Sequence, residues 1–408
     1  MNAKRWISRP VMVAAAGAAM VLAGCGGGGS SIDSSGAAID PTAIGQPAVA
    51  PTGPAAVSHF LTVDPATPIN YETELPAHFQ AAVANDNTPK LASATASTND
   101  TVTLGRVLFH DKNLSINGAV ACASCHQQNA AFADVKRFSV GFSGVDTTTR
   151  HSMRLANVRF FKSGTMFWDK RATSLEAQSV MPLQNPVEMG FDDAHGGLAA
   201  LMEKMRALPY YPELFRLAFG DAAITQDRMQ AALAQFMRRI VSVNSRWDSG
   251  YAKVFDPALP DKGIDLDIPD FTPQENRGRH LFMATQAQGG LNCAACHLPP
   301  SFALGGSGNN GLEEGETATF KSPSLKNVGQ STSFMHDGRF ASLEEVVEHY
   351  NSGVKDGPGL DKRLKGTDGK PLALNLTEDD KAALVAFLKT LTDPVLAANP
   401  VFSNPFRQ

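Results

Sequence analysis

Two motifs of the same form carry the clearest chemistry in this sequence: residues 122–126 read Cys-Ala-Ser-Cys-His, and residues 293–297 read Cys-Ala-Ala-Cys-His. In C-x-x-C-H, two thiols on one turn can form thioethers with the two vinyl groups of a haem, and the next imidazole can bind its iron. The sequence therefore predicts two covalently attached c-type haems. The residues that would hold them are Cys122, Cys125, His126, Cys293, Cys296 and His297.

Zinc is the competing interpretation, because paired C-x-x-C motifs can form a tetrahedral zinc site. The cysteine pairs of such sites usually lie about 15–20 residues apart, whereas Cys125 and Cys293 are far more distant along the chain. Both motifs also carry the histidine that haem attachment needs. Haem is therefore favoured at both motifs.

The N-terminus predicts export and a lipid anchor. Lys4, Arg5 and Arg9 precede an apolar run over residues 11–22, which is short for a membrane span and typical of a signal-peptide core. The run leads into Leu-Ala-Gly-Cys at Cys25, which resembles the bacterial lipobox and implies lipidation of Cys25 after removal of residues 1–24. An ordinary signal peptide with a chance cysteine is the alternative. We expect a periplasmic lipoprotein, anchored to the outer membrane, and c-type haem is attached outside the bacterial cytoplasm.

Cysteine usage agrees with that prediction. The chain has five cysteines, and an odd number in an exported protein needs an explanation. Four of them lie in the two haem motifs, so lipidation of Cys25 would account for the fifth. No cysteine is then left for a structural disulfide.

Length and composition bound the domain organisation. The chain has 408 residues, which is long enough for two domains. Its formal net charge is −4, so it lacks the excess of basic residues that is typical of a nucleic-acid-binding protein. Residues 26–68 are rich in Gly, Ser, Ala and Pro, a composition typical of a linker. We therefore predict a flexible tether over residues 25–70.

An internal repeat with an offset of about 170 residues predicts two related domains. Gly105–Phe109 precedes the first motif as Gly278–Phe282 precedes the second, and Leu155–Val158 is echoed by Leu325–Val328. Matched blocks in the same order are hard to obtain by chance. The predicted domains are residues 71–265 and residues 266–408, which meet in a Pro/Asp-rich stretch.

The readable local structure is helical, which predicts an all-α fold with two cytochrome c-like domains. Ser342 begins a capping-box pattern, and Leu343, Val346, Val347 and Tyr350 follow at the spacing of one helical face. Further helices are expected from residue 377, over residues 201–219 and over residues 226–243.

Four further blocks carry a family resemblance: Phe167–Ala172, Asn185–Met189, Pro323–Val328 and Met335–Phe340. With the repeat and the haem motifs, they resemble the bacterial di-haem cytochrome c peroxidase superfamily, which includes the MauG-like protein oxidases. The resemblance covers about residues 95–395. It implies that the first haem reacts with peroxide and that the second relays electrons.

The resemblance also implies roles for three residues. Trp168 matches the tryptophan that conducts electrons between the haems, although a buried core tryptophan is the plainer interpretation. Glu188 matches the acid/base glutamate, which can move a proton between the two oxygens of peroxide, and Gln178 matches its hydrogen-bonding partner. Without its context, Glu188 would be read as a solvated loop charge.

Two departures from the family pattern concern the first haem. Typical members carry a histidine in a glycine-rich loop that caps this iron, and here Phe142 stands where we expect it, which implies an open iron position. His151 is the rival cap. His151 also replaces an asparagine that ligates an interdomain calcium ion in relatives, so the calcium that the resemblance implies is doubtful here.

A third departure concerns the second haem. Tyr350 stands where typical peroxidases place an axial methionine, and MauG-like members use a tyrosine there. Core packing on the helix face is the alternative, and Met335 is a fallback ligand. A tyrosine ligand would stabilise ferric iron, whereas a thioether would raise the reduction potential.

The leading functional hypothesis is reduction of hydrogen peroxide with electrons from a small redox protein, either a cytochrome c or a cupredoxin. The alternative is a MauG-like oxidase that modifies a Trp or Tyr of a partner protein through a high-valent haem. A non-catalytic electron-transfer cytochrome is a third hypothesis, against which Glu188 and the missing distal histidine argue.

Overall fold

Helices dominate the computed structural model, which describes residues 51–88, 98–303 and 307–408. The α-helices are α1 Gly53–Phe60, α2 Gln80–Val83, α3 Asn99–His110, α4 Cys122–Cys125, α5 Leu175–Ser179, α6 Gly197–Ala207, α7 Tyr211–Phe219, α8 Gln226–Arg238, α9 Arg246–Val254, α10 Pro273–Met283, α11 Leu343–Glu348, α12 Glu378–Thr390 and α13 Pro394–Ala398. Short 3₁₀ turns cover Ala77–Phe79, Lys112–Leu114, Gln128–Ala130, Val158–Phe160, Asp193–His195, Gln286–Gln288, Cys293–Ala295, Val328–Gln330, Lys362–Leu364 and Pro400–Phe402. This content agrees with the predicted all-α fold.

Extended structure is confined, in the described ranges, to two short strands and isolated bridges. Strands β1 Ser307–Gly308 and β2 Phe320–Lys321 pair antiparallel, with Ser307 opposite Lys321. No helix of the described residues is long and apolar enough to cross a membrane. The predicted signal peptide and Cys25 lie outside the described residues.

Two helix crossings of the same kind organise the two halves of the chain. Helix α3 packs on α8 and helix α10 packs on α12. A Cβ atom added to Gly105 would lie 2.0 Å from the carbonyl oxygen of Ala232, and one added to Gly278 would lie 1.9 Å from that of Ala383. Only glycine allows the backbones to approach so closely, which explains why the repeated block begins with glycine.

The second repeated block also has the same conformation in both halves. Asn157 and Asn327 are left-handed, with φ of 63° and 65°, a region that asparagine tolerates better than most residues. Their backbone N–H groups donate to the carbonyls of Ile240 and Leu391, each at 2.9 Å. These acceptors lie just after α8 and α12, so each block ties the chain to the end of its helix pair. Descent from one duplicated domain stays a prediction.

The core consists of two main hydrophobic clusters inside one compact unit. One cluster surrounds α3, α7 and α8, and it also takes in Leu396 and Phe402 near the C-terminus. The other surrounds α10 and α12, and it takes in Trp247 and Tyr251 of α9. The chain thus exchanges segments between the two clusters, and the domain boundary at residue 265 stays a prediction.

Part of the predicted tether belongs to the folded unit. Helix α1 buries Val57, and Leu61 is fully buried beside it. Leu61 pairs with Phe406, and the N–H of Arg407 donates to the carbonyl of Phe60 at 2.9 Å. Composition misled the prediction here, because a few apolar residues in a Gly/Pro-rich stretch are enough to dock a short helix.

Candidate haem sites

The N-terminal motif presents its histidine as a metal ligand requires. Cys122 and Cys125 lie on the single turn α4, and His126 follows it. Nδ1 of His126 is 3.1 Å from the carbonyl oxygen of Phe132. Because a carbonyl only accepts, Nδ1 must carry the proton, which leaves Nε2 with a free lone pair. Burial lowers the pKa of His126 and so favours the neutral ring.

The C-terminal motif repeats this arrangement. The turn Cys293–Ala295 precedes His297, whose Nδ1 is 3.2 Å from the carbonyl oxygen of Pro323. Burial lowers the pKa of His297 to about 4, so its ring is neutral at ordinary pH. Both motifs therefore present an oriented, unprotonated Nε2.

Burial disfavours the charged form of the motif thiols. Burial raises the pKa of Cys122 and Cys293 to about 12 and that of Cys125 to about 11. Zinc binds the thiolate, whereas a thioether carries no charge. Over the described ranges, no group of three or more His, Cys, Asp and Glu side chains could hold a metal ion. The motifs fit thioether attachment, and the calcium ion stays a prediction.

A cavity of about 640 Å³ adjoins the C-terminal motif, a volume within the ordinary range of cofactor sites. Cys293, Cys296 and His297 line it. Its apolar lining includes Phe282, Leu291, Phe334, Leu343, Val346, Val347, Leu384 and Leu388. A mostly apolar cavity beside C-x-x-C-H suits a haem.

Tyr350 lies in this cavity. It belongs to a π-helical turn, His349–Gly353, that continues α11, and such turns are frequent at functional sites. Burial raises the pKa of Tyr350 to about 12, against a hydrogen bond from Asn310. The predicted helix face lines the cavity, but the change to π-helix at residue 349 was not expected from the sequence.

Glu188 lies close to the N-terminal motif. Its charge raises the pKa of both Cys122 and Cys125, although burial is the larger cause for each thiol. Burial raises the pKa of Glu188 itself, and the positive charge of Arg171 opposes this. Among the described residues, no hydrogen bond holds its carboxylate. Gln178 lies on α5, and the structure shows no hydrogen bond between it and Glu188.

The loop that carries Gly141 and Phe142 packs against the segment that carries Glu188. The N–H of Phe142 donates to the carbonyl of Glu188 at 3.0 Å. A Cβ atom on Gly141 would lie 1.7 Å from the carbonyl oxygen of Val187, so the two segments meet backbone to backbone. The Phe142 ring packs beside Gly190. Phe142, which stands where relatives are expected to carry the capping histidine, therefore lies in the neighbourhood of Glu188.

Trp168 joins the two halves of the molecule. Its Nε1 donates to the carbonyl of His151 at 2.8 Å, its own carbonyl accepts from the N–H of Lys321 at 2.8 Å, and its side chain lines the C-terminal cavity. Nδ1 of His151 is 3.2 Å and 3.1 Å from the carbonyls of Lys136 and Arg137. Trp168 is therefore held between the two motif-bearing halves.

Sequence reasoning missed two cations in the cavity lining. Arg154 and Lys321 both line the C-terminal cavity. Arg154 directly precedes the block Leu155–Val158, and Lys321 lies two residues before the block Pro323–Val328. Lysine and arginine are, however, common surface residues. Nothing in the sequence alone marks these two as buried.

Comparison with known families gives one matching model. A family model described as "Di-haem cytochrome c peroxidase" matches residues 99–254 and 273–356 of this chain. The matched residues include both C-x-x-C-H motifs, Trp168, Glu188 and Tyr350.

Two named relatives illustrate the range of similar proteins. The methylamine utilization protein MauG of Methylorubrum extorquens is 34% identical over 311 residues, which cover 72% of this chain and 78% of that protein. The cytochrome c551 peroxidase of Nitrosomonas europaea is 29% identical over 337 residues, which cover 76% and 85%.

Solved structures share the fold. A MauG-like protein associated with microbial copper homeostasis aligns with a TM-score of 0.65 and 28% identity, over 82% of this chain and 99% of that chain. The diheme peroxidase BthA of Burkholderia thailandensis aligns with a TM-score of 0.56 and 23% identity, over 76% and 90%. The second likeness concerns the fold alone.

Proposed function

The chain belongs to the di-haem cytochrome c peroxidase family, and we propose that it reduces hydrogen peroxide at its N-terminal haem with electrons received through its C-terminal haem. Membership of the family makes it an oxidoreductase with two c-type haems. The proposal is supported above all by Glu188, a half-buried carboxyl beside the N-terminal motif, the pKa of which is raised by desolvation.

The reaction consumes one hydrogen peroxide, two electrons and two protons and forms two waters. Each haem supplies an iron that can bind a ligand and exchange electrons. The chain holds them through Cys122, Cys125 and His126 at one site and through the second motif at the other. Glu188 takes a proton from one peroxide oxygen and delivers it to the other, and a carboxyl with a raised pKa is suited to both transfers.

Trp168 provides the path for electrons in this proposal. It spans from the His151 carbonyl to the lining of the C-terminal cavity, and an indole is readily oxidised. Gln178 would orient peroxide or the Glu188 carboxylate by donating a hydrogen bond. Tyr350, which lines the cavity with His297, would be a further residue that holds the iron of the C-terminal haem.

Replacement of Glu188 tests the function. We expect Glu188→Gln to keep two haems per chain and to react with peroxide at least about 10²-fold more slowly, the usual effect of losing a general acid or base. Glu203→Gln is the control, because the Glu203 side chain is 75% exposed on α6 and pairs with Arg206. An unchanged rate in Glu188→Gln would contradict the acid/base role.

A MauG-like oxidase is the second candidate, and the placement of Tyr350 favours it. Tyr350 lies near enough to Cys293 and Cys296 for their charges to raise its pKa, after the larger effect of burial. In this alternative, the electrons come from a Trp or Tyr of a partner protein. Steady oxidation of a reduced cytochrome c or cupredoxin by peroxide would support the peroxidase. A two-electron-oxidised state that persists without any donor would support the oxidase.

We also propose that the enzyme faces the periplasm, attached to the outer membrane through a lipid on Cys25. Support comes from the lipobox-like sequence before Cys25. The measurement is the mass of the N-terminal peptide of the mature protein. A cleaved, diacylated Cys25 is expected, and an unmodified cysteine would overturn the anchor.

A further inference from the structure

Arg154 is a half-buried cation that no carboxylate contacts among the described residues. Its guanidinium donates to the carbonyl of Ser324 at 3.3 Å and to the hydroxyl of Ser331, while its buried Nε has no hydrogen-bond partner among the described residues. Burial lowers the pKa of Arg154 to about 10. A desolvated charge without a counter-ion is costly, so an anion bound beside this guanidinium would stabilise it.

Lys321 also lacks an anionic partner among the described residues. It is 5% exposed, and its Nζ is 3.9 Å from the centre of the Phe161 ring and 3.4 Å from the carbonyl of Thr165. Burial lowers the pKa of Lys321 to about 7. Its Nζ also donates to the sulfur of Met166 at 3.5 Å. A ring face and two long hydrogen bonds compensate an ammonium only in part. Within the described ranges, no carboxylate contacts it.

Both cations line the cavity beside the C-terminal motif. Asp361 is the one acidic residue in the described lining, and it already forms an ion pair with Arg363 at 2.7 Å. Arg154 follows His151 in the N-terminal half, and Lys321 lies in β2, where its N–H donates to the carbonyl of Trp168. The cavity thus has a mainly apolar lining and holds two cations that no carboxylate among the described residues contacts, on segments other than the one that carries the thiols.

We propose that Arg154 and Lys321 form a carboxylate-binding site for the propionate groups of the C-terminal haem. A haem carries its two propionates on the edge opposite the vinyl groups, and the thioethers of Cys293 and Cys296 fix the vinyl edge. A guanidinium and an ammonium are the groups that carboxylates prefer as partners. The propionates supply the anions that both side chains lack. This inference rests on the bound haem and not on the proposed peroxidase reaction.

The test is a potentiometric titration of the two-haem protein in three variants. In Arg154→Gln, the uncompensated propionate stabilises ferric iron, so the C-terminal haem is expected at a lower reduction potential. That potential should also depend more strongly on pH, because the propionate pKa is no longer held down. Arg154→Lys should restore most of both properties. Arg216→Gln, which removes an exposed remote cation paired with Glu213, should change neither.

The outcomes separate a carboxylate site from a structural role. If Arg154 served only to hold Ser324 and Ser331, both replacements would lower the melting temperature and leave the pH dependence of the potential unchanged, which would overturn the proposal. If Arg154→Gln does not accumulate, Lys321→Met is measured in the same way with the same expected shifts. Loss of peroxide reduction with these shifts intact would sink the proposed function alone.

Discussion

At the scale of single residues, Glu188 is set apart by the direction of its pKa shift. Carboxyls paired with arginine, such as Glu176 with Arg238 and Asp86 with Arg159, have a lowered pKa, because hydrogen bonds and charge outweigh the burial that would raise it. Burial is the larger influence on Glu188, and the pKa of its carboxyl is raised. A carboxyl left without a tight cation has a pKa above its ordinary value, which suits it to both accepting and releasing a proton.

The pH dependence of the peroxide reaction should report this carboxyl. The ionised form accepts the proton, so the rate is expected to fall with decreasing pH, at a midpoint above the ordinary value of 4.5. Arg171 lowers the pKa of Glu188, so Arg171→Gln should move the midpoint to higher pH. Arg171→Lys keeps the charge and is the control. A midpoint that falls in Arg171→Gln, measured by stopped-flow absorbance, would contradict this role for Glu188.

Residues differed in how well the sequence could predict them. The haem motifs were readable because covalent attachment demands a fixed local spacing, and the histidine geometry agrees at both His126 and His297. The positions of Arg154 and Lys321 in the cavity could not be predicted, because the surroundings of a long cationic side chain depend on segments far apart in the chain. A motif of adjacent residues can be recognised in the sequence, whereas the desolvation of a side chain depends on the tertiary packing.

At the scale of elements, the glycine crossings set how closely the paired helices approach. Alanine usually stabilises a helix by about 0.5–1 kcal/mol relative to glycine. At Gly105 the added methyl would lie 2.0 Å from a backbone oxygen, a clash that a side-chain rotation cannot relieve. Overpacking of this kind costs about 1–3 kcal/mol, so the steric effect outweighs helix propensity.

Gly105→Ala is therefore expected to lower the free energy of unfolding by at least about 1 kcal/mol, measured by denaturant unfolding. Gly366→Ala is the matched control, because the nearest atom to its added Cβ is a side-chain oxygen of Asp368 at 3.0 Å. The control should stay within about 0.5 kcal/mol of the parent. Equal stability of Gly105→Ala and the parent would contradict the close crossing.

The elements themselves were predicted with uneven success. Helix α12 begins after Thr377 as expected, since the Thr377 hydroxyl accepts from the N–H of Asp380. The expected helix over residues 201–219 is divided into α6 and α7 at residues 208–210, where Pro209 interrupts the helical hydrogen bonding. The π-turn begins at His349, after the apolar positions Leu343, Val346 and Val347, so their spacing gives no sign of it.

At the scale of the whole molecule, the C-terminal tail packs on the N-terminal half. The guanidinium of Arg106 donates to the carbonyls of Ser403 at 2.7 Å and Pro400 at 3.0 Å. The ring of Phe402 meets those of Phe132 and Phe236, each with centroids 6.1 Å apart. The two halves are thus coupled by chain exchange, which a repeat in the sequence does not reveal, because the tail lies outside the matched blocks.

Phe402→Ala should accordingly destabilise the half that contains the first haem, although residue 402 lies in the predicted C-terminal domain. Phe402 is 3% exposed, and truncation of a buried phenylalanine costs about 3–5 kcal/mol. Val395→Ala, at a side chain that is 50% exposed, is the control and should cost less than about 1 kcal/mol. Thermal unfolding followed at the Soret band measures both. If Phe402→Ala left unfolding unchanged, or affected only the second haem, the tail would not be part of the N-terminal core, because removal of a ring from that core must expose apolar surface around Phe132.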